Sequence, residues 1–173
     1  MTADVLALRR SPLEGTGFGV VGLGLTMAEE PFRSLVEVRS DVAPSVAPGV
    51  SPSAGHVWRL GPDWWLVDGP PPSEPALEVP LAGQLRGPGA AATDVSAHRT
   101  TIVLTGEHAA TVIAHGCPID LSVVPVGGCV QGTLAGAQVA IGRVGPNTLR
   151  LYVRAAFARH LAAWLSDAAT PYL

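Results

Sequence analysis

The sequence predicts an α+β fold made of two similar halves, each an antiparallel sheet with helices laid on one face. Three observations point there. Val57 to Asp63, reading VWRLGPD, is echoed by Ile141 to Asn147, reading IGRVGPN, and each copy runs on into an apolar strand. Residues 99–168 read as strand, helix, three strands and helix. The last helix, 156–168, carries one apolar stripe.

Residues 1–33 form a poorly defined N-terminal segment. Gly15 to Gly24 is rich in glycine, and Met27 to Arg33 suits a short helical turn. The first α+β half spans 34–88. Ser34–Ser40 reads as a strand, because Leu35, Glu37 and Arg39 alternate with Val36 and Val38. Residues 41–55 hold Pro44, Pro48 and Pro52 among serines and glycines, a loop by composition. Pro70 to Pro75 is a second such stretch. Between them lies the first copy of the echo, read as strand, tight turn, strand. Its Pro62 presets φ, and Asp63, like Asn147 in the second copy, tolerates the left-handed conformation that closes a hairpin.

The second half, 89–173, is clearer. Arg99–Thr105 is a strand. Glu107–His115 is a short helix with Ala109, Val112 and Ile113 on its apolar face, an acid in its first turn and Gly116 at its stop. Val130–Leu134, Gln138–Val144 and Thr148–Val153 read as strands. In the last, Leu149, Leu151 and Val153 share one face, while Arg150, Tyr152 and Arg154 share the other. Along 156–168 the stripe is Phe157, Leu161, Trp164, Leu165 and Ala168, with Arg159 and Asp167 off it. The two halves together are expected to form one compact unit.

Composition narrows the function classes. The 173 residues are 47% hydrophobic and 14% charged, with a mean hydropathy of +0.33. So little charge favours a chain that buries part of its outside against a partner; abundant alanine and glycine also raise the apolar count. All eleven basic residues are arginine, which excludes a Schiff-base lysine and a Walker-type phosphate lysine. Only Arg9 and Arg10 are adjacent, so no basic run is available for nucleic acid. Met1 to Asp4 lacks the basic start of a signal peptide, and no apolar run approaches the ~20 residues of a membrane span. A soluble, cytoplasmic protein with reduced Cys117 and Cys129 is expected.

The candidate motifs for chemistry each have a plainer reading. Gly17, Gly19 and Gly22 spell GxGxxG, but a dinucleotide fingerprint needs a strand before it and a helix opening within it. Here turn-forming residues precede it and poor helix formers follow, with Asp41 beyond. Asp94, Ser96 and His98 share one extended segment, where neighbours point alternately apart, so a triad is not expected. A turn in which Asp94 or Ser96 bonds local backbone amides fits better. The histidines are spaced without a ligand pattern. His108 and His115 stand seven apart on one helix, and His115 suits that helix's C-terminal dipole. Cys117 and Cys129 read as small buried hydrophobes. No catalytic, cofactor-binding or metal-binding residue is therefore assigned. Trp58, Trp64 and Trp65 fall on one predicted hairpin, and adjacent Trp64 and Trp65 must face opposite sides of the sheet. One fills the core; the other needs cover, and Trp64 and Trp65 are the candidate subunit interface.

Several segments resemble the gamma subunit family of heterotetrameric sarcosine oxidase. They are Glu30 to Phe32 leading into Val36 to Asp41, then Leu60 to Val67 (LGPDWWLV), then Asp94 to Ser96 with Arg99 and Thr100. After these come His115 to Leu121 (HGCPIDL), Gly128 to Gln131, and Val153 to Ala158 before Trp164 and Leu165. LGPDWWLV and GCPIDL are the specific ones, and together the segments run over roughly residues 25–168 in the expected order. Trp65 stands where that family suggests Glu, Ala156 where it suggests Ser, and residues 42–56 are shorter and richer in proline; these differences touch surface detail rather than fold.

The resemblance implies an aminomethyltransferase-like folate-binding-domain fold. It also implies a non-catalytic place beside alpha, beta and delta subunits, chiefly against alpha. Such a complex demethylates sarcosine oxidatively to glycine. Its products are formaldehyde or 5,10-methylenetetrahydrofolate, and hydrogen peroxide. FAD, FMN, NAD and tetrahydrofolate are implied for the larger subunits and none for this chain. Two other readings stay open. One is a free-standing folate-binding protein, for which Asp94 and Asp120 are the available carboxylates. The other is the same subunit in a complex acting on another N-methyl amino acid, such as N-methylglutamate.

Overall fold

The computed structural model describes residues 8–45, 55–71, 81–83, 85 and 89–173. Among these residues ten strands form two wholly antiparallel sheets. The strands are β1 (Val20–Gly22), β2 (Leu25–Glu29), β3 (Ser34–Arg39), β4 (His56–Gly61), β5 (Trp64–Gly69), β6 (Ala91–Asp94), β7 (Arg99–Thr105), β8 (Cys129–Leu134), β9 (Ala137–Gly145) and β10 (Thr148–Arg154). The six-stranded sheet runs β1-β2-β7-β10-β9-β8, and the four-stranded sheet runs β4-β5-β3-β6. Helix α1 (Ala109–Ala114) and helix α2 (Ala158–Ala169) both pack on one face of the larger sheet. The α+β fold with helices on one face is thus the architecture observed.

Period-two alternation in the strands sorts the side chains into three apolar layers. Leu149, Leu151 and Val153 of β10 join Ile102, Leu104, Val139 and Ile141 beneath α1 and α2. The opposite face of that sheet supplies Ala140 and Tyr152, which meet Leu35, Trp58 and Leu66 of the smaller sheet. On that sheet's outer side, Val36, Val38 and Val67 pack against Leu81, with Trp65 and Leu85 at the margin. The second of these layers joins the two sheets.

Both copies of the echo are strand-turn-strand units. β4 and β5 are joined by Pro62-Asp63, and β9 and β10 by Pro146-Asn147, each with a register shift beside the turn. Only the first uses the left-handed conformation, at Asp63 with φ 51°. Asn147 keeps a negative φ while its carbonyl accepts from the Gly106 amide at 2.9 Å, so the neighbouring strand end shapes that turn.

Three expectations are corrected. Met27 to Arg33 is not a helical turn. Leu25 and Met27 are buried at alternate positions of β2, which pairs with β7. Tertiary pairing overrides the weak local preference, and Gly24 at φ +68° closes the β1–β2 hairpin. Phe157 is not on the apolar stripe. It sits in a 3₁₀ turn over Ala155–Phe157, 44% exposed, while Ala158, Leu161, Ala162, Leu165 and Ala169 make the buried face. Three residues per turn instead of 3.6 rotate Phe157 off it. Finally, the sheets do not divide the chain at residue 88. β1 and β2 belong to the larger sheet, whereas β6 pairs with β3 in the smaller one. The chain changes sheet at Glu30–Arg33 and again at Val95–His98, where Val95 donates to the Leu35 carbonyl and His98 to that of Val95. The proline-rich stretches expected at 41–55 and 70–75 lie largely outside the described residues.

Candidate functional site

The layer between the sheets is not wholly apolar. Asp68, in the last part of β5, is fully buried. Its Oδ1 accepts from Arg33 Nε at 2.5 Å, and its Oδ2 accepts from Arg150 Nη1 at 2.9 Å and from the Tyr152 hydroxyl at 2.6 Å. Arg150 and Tyr152 lie two apart on β10 and so point the same way across the gap. Arg150 also meets Glu30, with Nε 2.7 Å from Oε2 and Nη2 donating to Oε1 at 3.1 Å. Arg33 approaches Glu30 at 3.6 Å. Two carboxylates thus face two guanidiniums, and the cluster is electrically balanced, the condition under which buried charge is tolerated.

An aromatic arm extends this clamp along β4. Trp58 is 1% exposed, and its Nε1 donates to the Tyr152 hydroxyl at 2.6 Å. The ring packs over Gly142 of β9, where an added Cβ would stand 2.7 Å from a ring carbon. His56 stacks flat on Trp58, with centroids 4.6 Å apart and planes 3° apart. His56 Nδ1 lies 3.3 Å from Arg150 Nη1. A guanidinium only donates, so Nδ1 accepts and the imidazole is neutral there. The chain Trp58 to Tyr152 to Asp68 therefore runs in one donor direction, with all three groups satisfied.

The electrostatics follow from burial and charge. Burial, then the Asp68 carboxylate, holds the Tyr152 hydroxyl well above its ordinary pKa, so it stays a donor. Burial opposes the Arg150 charge, but Tyr152, Asp68 and Glu30 outweigh it and raise its pKa. Burial, helped by Arg150, lowers the His56 pKa below its ordinary 6.5. The folded protein then binds this proton less readily than the unfolded chain, so stability is full above pH 6.5 and falls as pH drops through 6.5 towards the folded value. Thermal melting across this window is expected to show a loss in the wild type that His56→Gln, a non-titrating acceptor, reduces. Identical pH profiles for the two proteins would contradict it.

The other sequence-predicted positions take local roles. Asp94 Oδ1 accepts from the Ser96 amide at 2.8 Å, and Ser96 Oγ accepts from the Leu35 amide at 2.9 Å, pinning the turn between β6 and β7. Asp120 Oδ1 accepts from the Ser122 amide at 2.8 Å, and the Ser122 hydroxyl first, then this amide, lower its pKa. The GxGxxG segment follows a turn and leads into β1, without an opening helix. Cys117 is buried, and half-buried Cys129 has its thiol pKa pushed up to about 12 by burial. Among the described residues no cluster of three or more His, Cys, Asp or Glu side chains is placed to hold a metal, and no helix is long and apolar enough to cross a membrane.

Trp64 and Trp65 do face opposite sides of β5, both half-buried. The Arg39 guanidinium lies 4.4 Å from the Trp64 centroid, and that of Arg59 lies 5.7 Å from the Trp65 centroid. Trp65 Nε1 donates to the Ser40 carbonyl at 2.9 Å. Sequence reasoning missed the clamp. Its traces were an acid ending the apolar run Trp64 to Val67, and a tyrosine directly between Leu151 and Val153 on the face shared with arginines.

Comparison with known proteins agrees with this fold. A model of the sarcosine oxidase, gamma subunit family matches residues 37–171. The sarcosine oxidase subunit gamma of Corynebacterium sp. (strain U-96) is 35% identical over 129 residues, or 73% of this chain; that match spans 61% of the relative's length. A chain in the heterotetrameric sarcosine oxidase from Corynebacterium sp. U-96, in complex with pyrrole 2-carboxylate, superposes with a TM-score of 0.78 at 29% identity, covering 95% of this chain and 96% of that one. The glycine cleavage system aminomethyltransferase T from Bartonella henselae shares the fold, with a TM-score of 0.62 at 14% identity over 83% of this chain and 46% of the other. With the family match running from within β3 to past the end of α2, and so through the clamp residues of β4, β5 and β10, the chain belongs to the sarcosine oxidase gamma subunit family.

Proposed function

We propose that this chain is a structural subunit of a cytoplasmic oxidase complex that demethylates sarcosine oxidatively to glycine. The accompanying products are formaldehyde or 5,10-methylenetetrahydrofolate, and hydrogen peroxide. Its part is packing, chiefly against an alpha subunit with beta and delta subunits in the same assembly. FAD, FMN, NAD and tetrahydrofolate are held by those larger chains. One observation carries this reading. The fully buried Asp68 carboxylate spends both oxygens on Arg33, Arg150 and Tyr152 of its own chain. A carboxylate so engaged and fully buried holds two sheets together instead of facing a pterin or a substrate amine.

Co-expression with the neighbouring oxidase subunits tests it. The chain is expected to co-elute with them in a fixed ratio and, when purified alone, to turn over no sarcosine and to retain no flavin or folate. Steady turnover by the isolated chain would overturn the reading, and tight folate binding would favour a free-standing folate protein. Assaying the assembled complex with sarcosine and with N-methylglutamate decides its substrate.

A further inference from the structure

A cleft of about 380 Å³ opens between α1 and the segment that follows it, within the size range of natural binding pockets. Ala110 and Ala114, one helical turn apart and both exposed, form its α1 side. Ile119 and Leu121 form the other side, and buried Leu149 of β10 also lines it. That second side belongs to GCPIDL, one of the two segments most specific to the family resemblance, and the clamp does not use it. Arg143 fixes its shape. Nη1 donates to the Leu121 and Val124 carbonyls at 3.2 and 3.0 Å, and Nη2 to the Pro146 carbonyl at 2.7 Å, so this charge is taken up by carbonyls of its own chain. The other charged groups on the lining are both acids, Glu107 and Asp120. Each is exposed, and among the described residues neither has an arginine within ion-pair distance; Glu107 has His108 Nε2 at 3.8 Å. Histidines aside, Asp120 is the one charged residue between Glu107 and Arg143 in the sequence. The chain runs on from Ser122 to Val123 and Val126, 75% and 56% exposed, apolar side chains that a protein partner covers and a small molecule does not.

We propose that this cleft receives a lysine or arginine side chain from a larger oxidase subunit. The aliphatic stem lies along Ala110, Ala114 and Leu149, and the cationic head meets the Glu107 and Asp120 carboxylates. The inference rests on the proposed structural-subunit role and names the surface and chemistry of one contact. A long basic side chain is the kind that joins an apolar stem to a cation. A wholly apolar side chain would leave both acids without a counter-charge, and an acidic one would meet like charge. Alanine at positions 110 and 114 leaves a width that a larger side chain would close.

The test uses the full chain co-expressed with the larger subunits, captured through one of them at low and at high salt. Wild type is expected to be retained at low salt and partly released at high salt. Glu107→Gln with Asp120→Asn is expected to weaken low-salt retention about three- to tenfold, as for two partly exposed ion pairs, and to flatten the salt dependence. Ala110→Leu fills the cleft without removing a charge, and is expected to weaken retention about tenfold while the salt dependence stays. All three positions are exposed, so the isolated variants are expected to melt with the wild type; if Ala110→Leu melts earlier, Ala114→Leu takes its place. Undiminished retention of the variants overturns this contact and leaves the structural-subunit role standing. Loss with the leucine variant alone overturns the basic side chain in favour of an apolar one, and loss with the charge pair alone overturns insertion into the cleft. Failure of the wild type to be captured overturns both the contact and the role. A wild-type chain that dimerises alone, and that the variants disperse, overturns the proposal in favour of a second copy as occupant.

Discussion

Asp68→Ala is expected to destabilise the chain by about 3–5 kcal/mol, the cost of breaking a buried ion pair from one side. Domains of this size are stable by only about 5–15 kcal/mol, so the variant should unfold at far lower urea, or fail to accumulate. The loss exceeds that of an ordinary buried contact because three donors lose their acceptor together: Arg33, Arg150 and the Tyr152 hydroxyl. Glu30 then faces two guanidiniums alone, and one positive charge is left uncompensated between the sheets. Asp68→Asn keeps the shape and one carbonyl acceptor but presents an amide to a donor, and should fall between the two. Adding Arg150→Met to Asp68→Ala should recover part of the loss, because apolar replacement of a buried pair costs less than half of one. Urea denaturation of the four proteins decides; an Asp68→Ala midpoint equal to wild type would show that the clamp adds nothing to stability.

Trp58→Ala should be nearly as severe, at about 3–5 kcal/mol for truncating a buried aromatic side chain. Its ring fills the space between β4 and β9 directly over Gly142, and its Nε1 is a donor to the Tyr152 hydroxyl. His56 would lose the surface on which it stacks. The same contact predicts a reciprocal effect. Gly142→Ala places a methyl 2.7 Å from the ring and should cost about 1–3 kcal/mol by overpacking. In a Trp58→Phe background the smaller ring leaves room, so the Gly142→Ala penalty should shrink, and a double-mutant cycle should show coupling. Additive effects would mean that the glycine is there for a reason other than the tryptophan.

Much of the fold is legible in the sequence. The echoed Gly-Pro-Asp and Gly-Pro-Asn segments are both hairpins, and residues 99–168 fold in the expected order of strand, helix, three strands and helix. These readings succeed because turn residues and side-chain periodicity are local properties. Residues 20–29 are not legible in this way. A glycine-rich hairpin has little local preference, and β2 becomes a strand through its pairing with β7. The face of β10 bearing Arg150 and Tyr152 separates correctly from its apolar face, but a polar face ordinarily meets water. Here it meets a second sheet.

Residue order alone determined the turns, most strand positions, both helices, the opposed tryptophans of β5 and the family resemblance. Tertiary structure decided that Asp68, Glu30, Arg33, Arg150 and Tyr152 meet, since the hydrogen-bonded partners among them lie 35 to 120 residues apart in the chain. Alternation says which side of a strand a residue occupies; only the stacking of sheets says whether that side is solvent or a dry gap. In the gap an arginine must find its carboxylate, and outside it the same arginine would be an ordinary surface charge.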